Sequence, residues 1–266
     1  MRSRAYFDAV AATYDRARPG YPVALFDDLT PLAGVGPGCR VLEIGCGTGQ
    51  ATVPLAVRGC RVTAVELGPN LAALARRNLA AALESAPEGG SARIEVADFE
   101  RWMPPEQRFD VVLAATAWHW LDPLTRFDRV ADALRPGGAL ATITTYHIAG
   151  GTERFFADVQ PTYRRFDPST PPDVRLPPAS RIPVDRDLGH STRFGRPQFC
   201  RYEWEESYAT AQYLDLLRTY SSTLALGPVA REGLLHAIGT LIEGRYHGRI
   251  SKRYLTELRL ARCVTP

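Results

Sequence analysis

From Cys39 to Tyr146, apolar runs of strand length alternate with amphipathic stretches. Arg40–Ile44 is a short apolar run, Thr48–Val57 a helical stretch and Arg61–Leu67 a second strand. Pro69–Leu83, rich in Ala and Leu with proline in its first turn, predicts a helix. Arg93–Ala97 reads as a third strand, and Phe109–Thr116 as a fourth, apolar enough to be covered on both faces. The helical pattern of Asp122–Leu134 is stopped by the breakers in Arg135-Pro136-Gly137-Gly138, and Ala139–Tyr146 is a fifth strand. Strands alternating with helices imply right-handed crossovers and a parallel, doubly wound sheet.

Two segments leave this rhythm. Between Gln160 and Asp187, prolines at 161, 168, 171, 172, 177, 178 and 183 stand among charged residues, which predicts an irregular insertion or lid. Beyond it Phe199–Tyr208 alternates as a strand, Ala209–Leu226 and Val229–Glu243 have helical patterns, and Arg253–Cys263 alternates again. The last strand is expected to return beside its partner as an antiparallel pair at one sheet edge. The expected fold is therefore α/β: a mostly parallel, doubly wound, seven-stranded sheet with an antiparallel edge strand, plus the insertion. Four segments follow: residues 1–38, a core over 39–146, an insertion over 147–198, and a C-terminal part over 199–266.

Composition narrows the classes. With 266 residues, 45% hydrophobic and 23% charged, the chain can bury one substantial core and carry a smaller lobe. A net charge of +3 without a clustered patch argues against a nucleic-acid partner. Lys252 is the one lysine among 32 basic residues. Codon bias of a GC-rich genome accounts for this, or selection for bidentate anion recognition. The five cysteines (39, 46, 60, 200, 263) are scattered, without metal-ligand spacing, and read as reduced thiols; no metal is expected. No basic-then-apolar leader and no apolar run of roughly 18 residues is visible, so a soluble cytoplasmic protein with no membrane partner is expected. Oligomeric state is not readable.

The densest chemistry lies in Val41-Leu42-Glu43-Ile44-Gly45-Cys46-Gly47-Thr48-Gly49-Gln50. Alternate glycines after a buried strand let the backbone turn sharply and bring a bulky ligand against bare main chain. A dinucleotide fingerprint would need glycine at position 50, where Gln50 stands. The pattern E-x-G-x-G-x-G instead resembles the first motif of the class I S-adenosylmethionine-dependent methyltransferases, small-molecule branch, including trans-aconitate methyltransferase-like proteins. Phe109-Asp110-Val111-Val112 and Leu134-Arg135-Pro136-Gly137-Gly138 look like later landmarks of that family, and the likeness covers residues 5–146.

The resemblance implies a Rossmann-like sheet and S-adenosylmethionine as cofactor. Ligands of open parallel sheets bind beyond the carboxyl ends of the strands, where these motifs fall. Glu43, Gly45, Cys46, Gly47 and Gly49 would form the loop, with the next helix N-terminus facing the ligand. Glu66, followed by Leu67, ends the second strand, where a carboxylate can accept from both ribose hydroxyls. A capping or surface acid is the alternative. Asp98 could take the adenine amino group and Phe99 pack on the ring, although strands commonly end in Asp. Thr116 closes the fourth strand. Residues 7–22 are similar to the family's helix over the methionine end of the cofactor, which implies that Tyr14 and Arg18 close over the ligand. An amphipathic cap helix is the alternative there.

The acceptor is expected near Ala117-Trp118-His119-Trp120-Leu121-Asp122. His119 is the side chain there that could take a proton near neutral pH, or it fixes the loop. His147 is a second possible base. Arg154, Arg164, Arg165 and Arg181, interleaved with aromatics, would suit an acidic small molecule or form a solvated lid. Three functions stay open: methyl transfer to a small-molecule acceptor, methyl transfer to RNA or protein, and a cofactor-binding lyase, cyclase or regulatory subunit.

Overall fold

The computed structural model describes residues 4–86, 89–172, 174–184, 188 and 191–264. In chain order the elements are α1 (Arg4–Ala9), α2 (Ala11–Ala17), α3 (Val23–Ala33), β1 (Arg40–Ile44), α4 (Thr52–Val57), β2 (Arg61–Glu66), α5 (Pro69–Glu84), β3 (Ser91–Val96), β4 (Phe109–Ala115), α6 (Arg126–Ala133) and β5 (Leu134–Ile148). There follow α7 (Glu153–Asp158), α8 (Gln160–Phe166), β6 (Gln198–Ala209), α9 (Thr210–Leu217), α10 (Ser221–Ala225), α11 (Pro228–Tyr246) and β7 (Arg249–Arg262).

The seven strands form one sheet in the order β3-β2-β1-β4-β5-β7-β6. The β3–β2, β2–β1, β1–β4 and β4–β5 pairs are parallel. β7 runs against β5: the Cys263 N–H donates to the Gly138 carbonyl, and Thr145 meets Thr256 farther along, at 3.1 Å between hydroxyl oxygens. The antiparallel β7–β6 pair thus lies at one edge of the sheet.

Side chains of the central strands alternate between two apolar layers, as doubly wound packing demands. Val41, Val111, Leu113, Ala139 and Ala141 join Leu25, Phe26 and Leu29 of α3 and Leu55 of α4. Leu42, Ile44, Val112, Ala114 and Leu140 face the other way, onto Val130 and Ala131 of α6. The strand order changes direction between β1 and β4, and the glycine-rich segment leaves β1 there.

The chain divides into two compact units that do not follow four consecutive segments. One comprises residues 19–145, 184–202 and 256–266; the other comprises 1–18, 146–183 and 203–255. The boundary falls inside β5, β6 and β7. In the second unit Phe155 and Phe156 of α7, Tyr213 and Leu216 of α9 and Leu234, Leu235, Ile238 and Ile242 of α11 form a core of their own.

Two local expectations need correcting. The insertion begins with two helices, α7 and α8, the second carrying Pro161 in its first turn where no N–H is needed. Its irregular part starts after Phe166, and positions 185–187 lie outside the described residues. The single helix expected over Ala209–Leu226 is two, since Arg218, Thr219 and Tyr220 break it. Among the described residues no helix is long and apolar enough to cross a membrane.

Candidate active site

β1 ends at Ile44, and Gly45, Gly47 and Gly49 then adopt φ of 69°, 58° and 97°. These left-handed angles are ones glycine takes without strain. A Cβ on Gly45 would lie 2.9 Å from the Cβ of Ala117, so the loop packs directly on the segment after β4. Because Gly49 is left-handed, the right-handed helix cannot start at Thr48 as expected. α4 begins at Thr52, and residues 47–51 are turns held by the Gly49 N–H to the Cys46 carbonyl and the Gln50 amide to Thr48 Oγ1. A helix of six residues contributes little dipole, so the loop itself presents the backbone N–H groups. Asn78 of α5 donates to the Thr48 carbonyl at 2.9 Å and pins the loop from outside.

Two carboxylates flank it. Glu66 ends β2 and accepts backbone N–H bonds from Gly47 (2.9 Å, Oε2) and Gly68 (2.8 Å, Oε1), which ties the second strand to the bare loop. Glu43 is 1% exposed and takes the Thr52 hydroxyl at 2.6 Å. Burial, opposed in part by that hydrogen bond and reinforced by the negative Glu66, pushes its pKa up to about 7.

A stability consequence follows. Between the ordinary value of 4.5 and about 7 the folded chain holds a proton on Glu43 that the unfolded chain has released. Stability from this group is complete at low pH and is lost as pH rises through 7, by up to roughly 3 kcal/mol. Glu43→Gln removes that loss while keeping an acceptor for Thr52. In urea denaturation the variant should gain on the wild type between pH 5 and pH 8. An equal difference at both pH values would contradict a buried, protonating carboxyl.

The remaining expected cofactor residues are placed as follows. Cys46 is buried, and burial raises its thiol pKa well above the usual value. Leu67 is 44% exposed at the carboxyl end of β2, beside the β3 terminus where Val96 is similarly open. Asp98 turns the chain by accepting the Glu100 N–H. Phe99 is committed to the core: it is 6% exposed and stacks on Trp102 at 6.4 Å, while Arg129 holds the Phe99 and Trp102 carbonyls. The open apolar surface at the ends of β2 and β3 therefore belongs to Leu67 and Val96. Thr116 is left-handed at φ 55°, a strained conformation for a β-branched residue, and its hydroxyl lies 2.9 Å from that of Tyr21. The sequence does not single out Tyr21, Thr52 or Asn78; Tyr21 lies within residues 7–22, whereas Thr52 and Asn78 carry no signal.

Trp118–Trp120 form a 3₁₀ turn directly after Ala117. Trp118 is buried, with Arg126 stacked 4.8 Å over its ring and donating to its carbonyl. His119 is exposed, its ring 4.9 Å from that of Trp120. Loss of hydration and then the Arg126 charge hold its pKa below the ordinary histidine value, so it is neutral at pH 7.

Tyr14 and Arg18 belong to the other compact unit. Arg18 donates to the Thr219 hydroxyl (2.9 Å) and carbonyl (2.8 Å), and its guanidinium lies over the rings of Tyr14 and Tyr220. His147 is in the same unit, with its pKa driven down to about 3 by burial and then by Lys252 and Arg18. It is a poor base near neutrality. Arg154, Arg164, Arg165 and Arg181 are all exposed and line no interior site, because each sits on the outer side of a short helix or turn.

Residues 41–138 match a family described as a methyltransferase domain. That stretch, from β1 into β5, is what the chain shares with methyltransferases. An uncharacterized methyltransferase of Mycobacterium tuberculosis is 36% identical over 137 residues, 52% of this chain and 51% of that protein. A ubiquinone biosynthesis O-methyltransferase of Xanthomonas campestris is 36% identical over 105 residues, 39% of this chain and 42% of the relative. The chain thus spans about half the length or less of these curated relatives. Among solved structures, one from Anaeromyxobacter dehalogenans whose name suggests a type II methyltransferase superposes with a TM-score of 0.60 at 24% identity, covering 94% of this chain and 99% of that one. The YcgJ protein of Bacillus subtilis gives 0.53 at 15% identity, covering 92% and 98%. Both likenesses concern the fold.

The residues of the matched stretch suit S-adenosylmethionine: the loop has no side chain at 45, 47 or 49, the Glu66 carboxylate stands at the end of β2, and an apolar, open surface follows at Leu67 and Val96.

Proposed function

We propose that this protein is an S-adenosylmethionine-dependent methyltransferase acting on a small-molecule acceptor. The observation that carries the reading is the left-handed glycine loop tied to the Glu66 carboxylate at the point where the strand order reverses. When bound, the cofactor supplies a methyl group already activated on a sulfonium. The chain's part is to bind, orient and exclude water. Glu66 would hold the ribose, the 45–49 backbone would pack on the cofactor's amino-acid portion, and Leu67 with Val96 would cover the adenine.

His119 is proposed to accept the acceptor's proton through its neutral imidazole. It stands two residues beyond Ala117, the residue against Gly45, and is accessible. His119→Ala should lower turnover at least about tenfold with cofactor affinity unchanged. Retained turnover would leave His119 as a loop residue only.

The function is tested by incubating purified protein with labelled S-adenosylmethionine and a panel of small phenols, amines and carboxylic acids. Release of S-adenosylhomocysteine that depends on one of them is the expected result. Failure to bind either form of the cofactor at millimolar concentration would overturn the reading.

A further inference from the structure

Two strands of the sheet open on the same four residues. Gly38-Cys39-Arg40-Val41 leads into β1, and Gly59-Cys60-Arg61-Val62 leads into β2. The strands pair in parallel with Arg40 beside Arg61 and Val41 beside Val62, so the two copies lie side by side in register. The ladder continues upstream of both strands: the Arg61 N–H donates to the Cys39 carbonyl and the Gly38 N–H to the Gly59 carbonyl, each at 2.8 Å. Cys39 and Cys60 therefore stand opposite one another.

Their side chains also share a face. Both belong to the apolar layer that holds Val41 and Val62, two residues farther along, as the alternation of a strand requires. Each thiol is the other's hydrogen-bond partner. Neighbouring strands lie about 4.7–4.9 Å apart, within the roughly 4.4–6.8 Å between Cα atoms that a disulfide spans. Gly38 and Gly59, left-handed at φ 80° and 88°, precede the cysteines, so the main chain on both sides can adjust as the sulfurs close. The other three cysteines lie elsewhere: Cys46 beyond the far end of β1, Cys200 in β6 and Cys263 just after β7.

We propose that Cys39 and Cys60 are an oxidation site, which a small peroxide converts to a disulfide joining β1 to β2. This chemistry requires neither cofactor nor methyl acceptor. Cys39 keeps 8% of its surface open and Cys60 none, so the oxidant must be as small as hydrogen peroxide. A bridge here closes a loop through residues 40–59, which includes the glycine-rich segment. It fixes the amino ends of the two strands whose carboxyl ends carry that segment and Glu66.

Cys60 supplies the thiolate, because the hydrogen bond from Cys39 lowers its pKa against the effect of burial, with help from the Arg58 charge. Its sulfur attacks one peroxide oxygen and the O–O bond breaks. The departing hydroxide takes the thiol's proton and leaves as water, and Cys60 becomes a sulfenic acid. Cys39, held protonated by the same hydrogen bond and by burial, then attacks the Cys60 sulfur. The S–O bond breaks as the S–S bond forms, and the hydroxyl leaves with the Cys39 proton as a second water. The two sulfurs give up two electrons, and the peroxide is reduced to two molecules of water.

The test treats the folded full chain with stoichiometric hydrogen peroxide and counts free thiols after denaturation. Three of the five should remain, and a peptide map should join Cys39 to Cys60 with the loss of two hydrogens. Dithiothreitol should restore all five. Cys39→Ser and Cys60→Ser should each abolish that link, whereas Cys200→Ser should leave it in place. Five thiols remaining in treated wild-type protein, a bridge mapped to another pair, or sulfinic acid at Cys60 in place of the bridge would each overturn the proposal. So would a bridge that forms only in urea and never in the folded chain.

Discussion

Replacing Gly47 with valine is expected to raise the dissociation constant for S-adenosylhomocysteine at least about a hundredfold, about 2.8 kcal/mol. Gly47 has φ 58°, and its N–H donates to Glu66 Oε2. Valine keeps that N–H, so the variant loses no hydrogen-bonding group. What it adds is a branched Cβ in a left-handed conformation, a strain of about 1–2 kcal/mol, on the strip of main chain where a ligand would press. The sheet and both apolar layers lie elsewhere, so thermal unfolding should remain cooperative with a melting temperature lowered by a few degrees only. Calorimetry and circular dichroism on one preparation separate the two effects. Unchanged affinity in a folded variant would place the ligand away from this loop.

Glu66→Ala is the second large effect. The substitution takes the acceptor from two backbone donors at once, Gly47 N–H and Gly68 N–H. It also removes the proposed grip on the ribose. Loss of a charge-assisted hydrogen bond costs about 1–3 kcal/mol, so cofactor affinity should fall by roughly one to two orders of magnitude. Because the two donors are left without their partner, stability should fall by more than the few degrees expected of Gly47→Val. A drop in melting temperature with an unaltered dissociation constant would make Glu66 a brace for the loop alone.

The core of the fold was legible because its signals are local. The apolar runs at Val41–Ile44 and Val111–Ala115 are buried on both faces, as continuous runs should be, and breakers mark their ends. The start of α4 was not legible: Thr48–Ala51 looks helical until the left-handed Gly49 is known. β7 begins at Arg249, ahead of the expected Arg253, and Lys252 is buried by rings that arrive from α7, α9 and the turn before α10. The same long-range packing explains the arginines. Their spacing in 154–181 suggested an acidic ligand, but short helices turn them outward, whereas Arg18 is drawn in by Thr219, some 200 positions along the chain. Phe99 shows the converse: its place after β3 suggested a ligand face, and Trp102, three residues on, takes that face.

That Lys252 has no counterpart elsewhere in the chain gives the protein a built-in reporter. Grown with ¹⁵N-labelled lysine alone, it would carry a single labelled side chain, and its one ε-nitrogen NMR resonance would arise from among the aromatic rings that bury Lys252. No assignment experiment would be needed to know where that signal comes from.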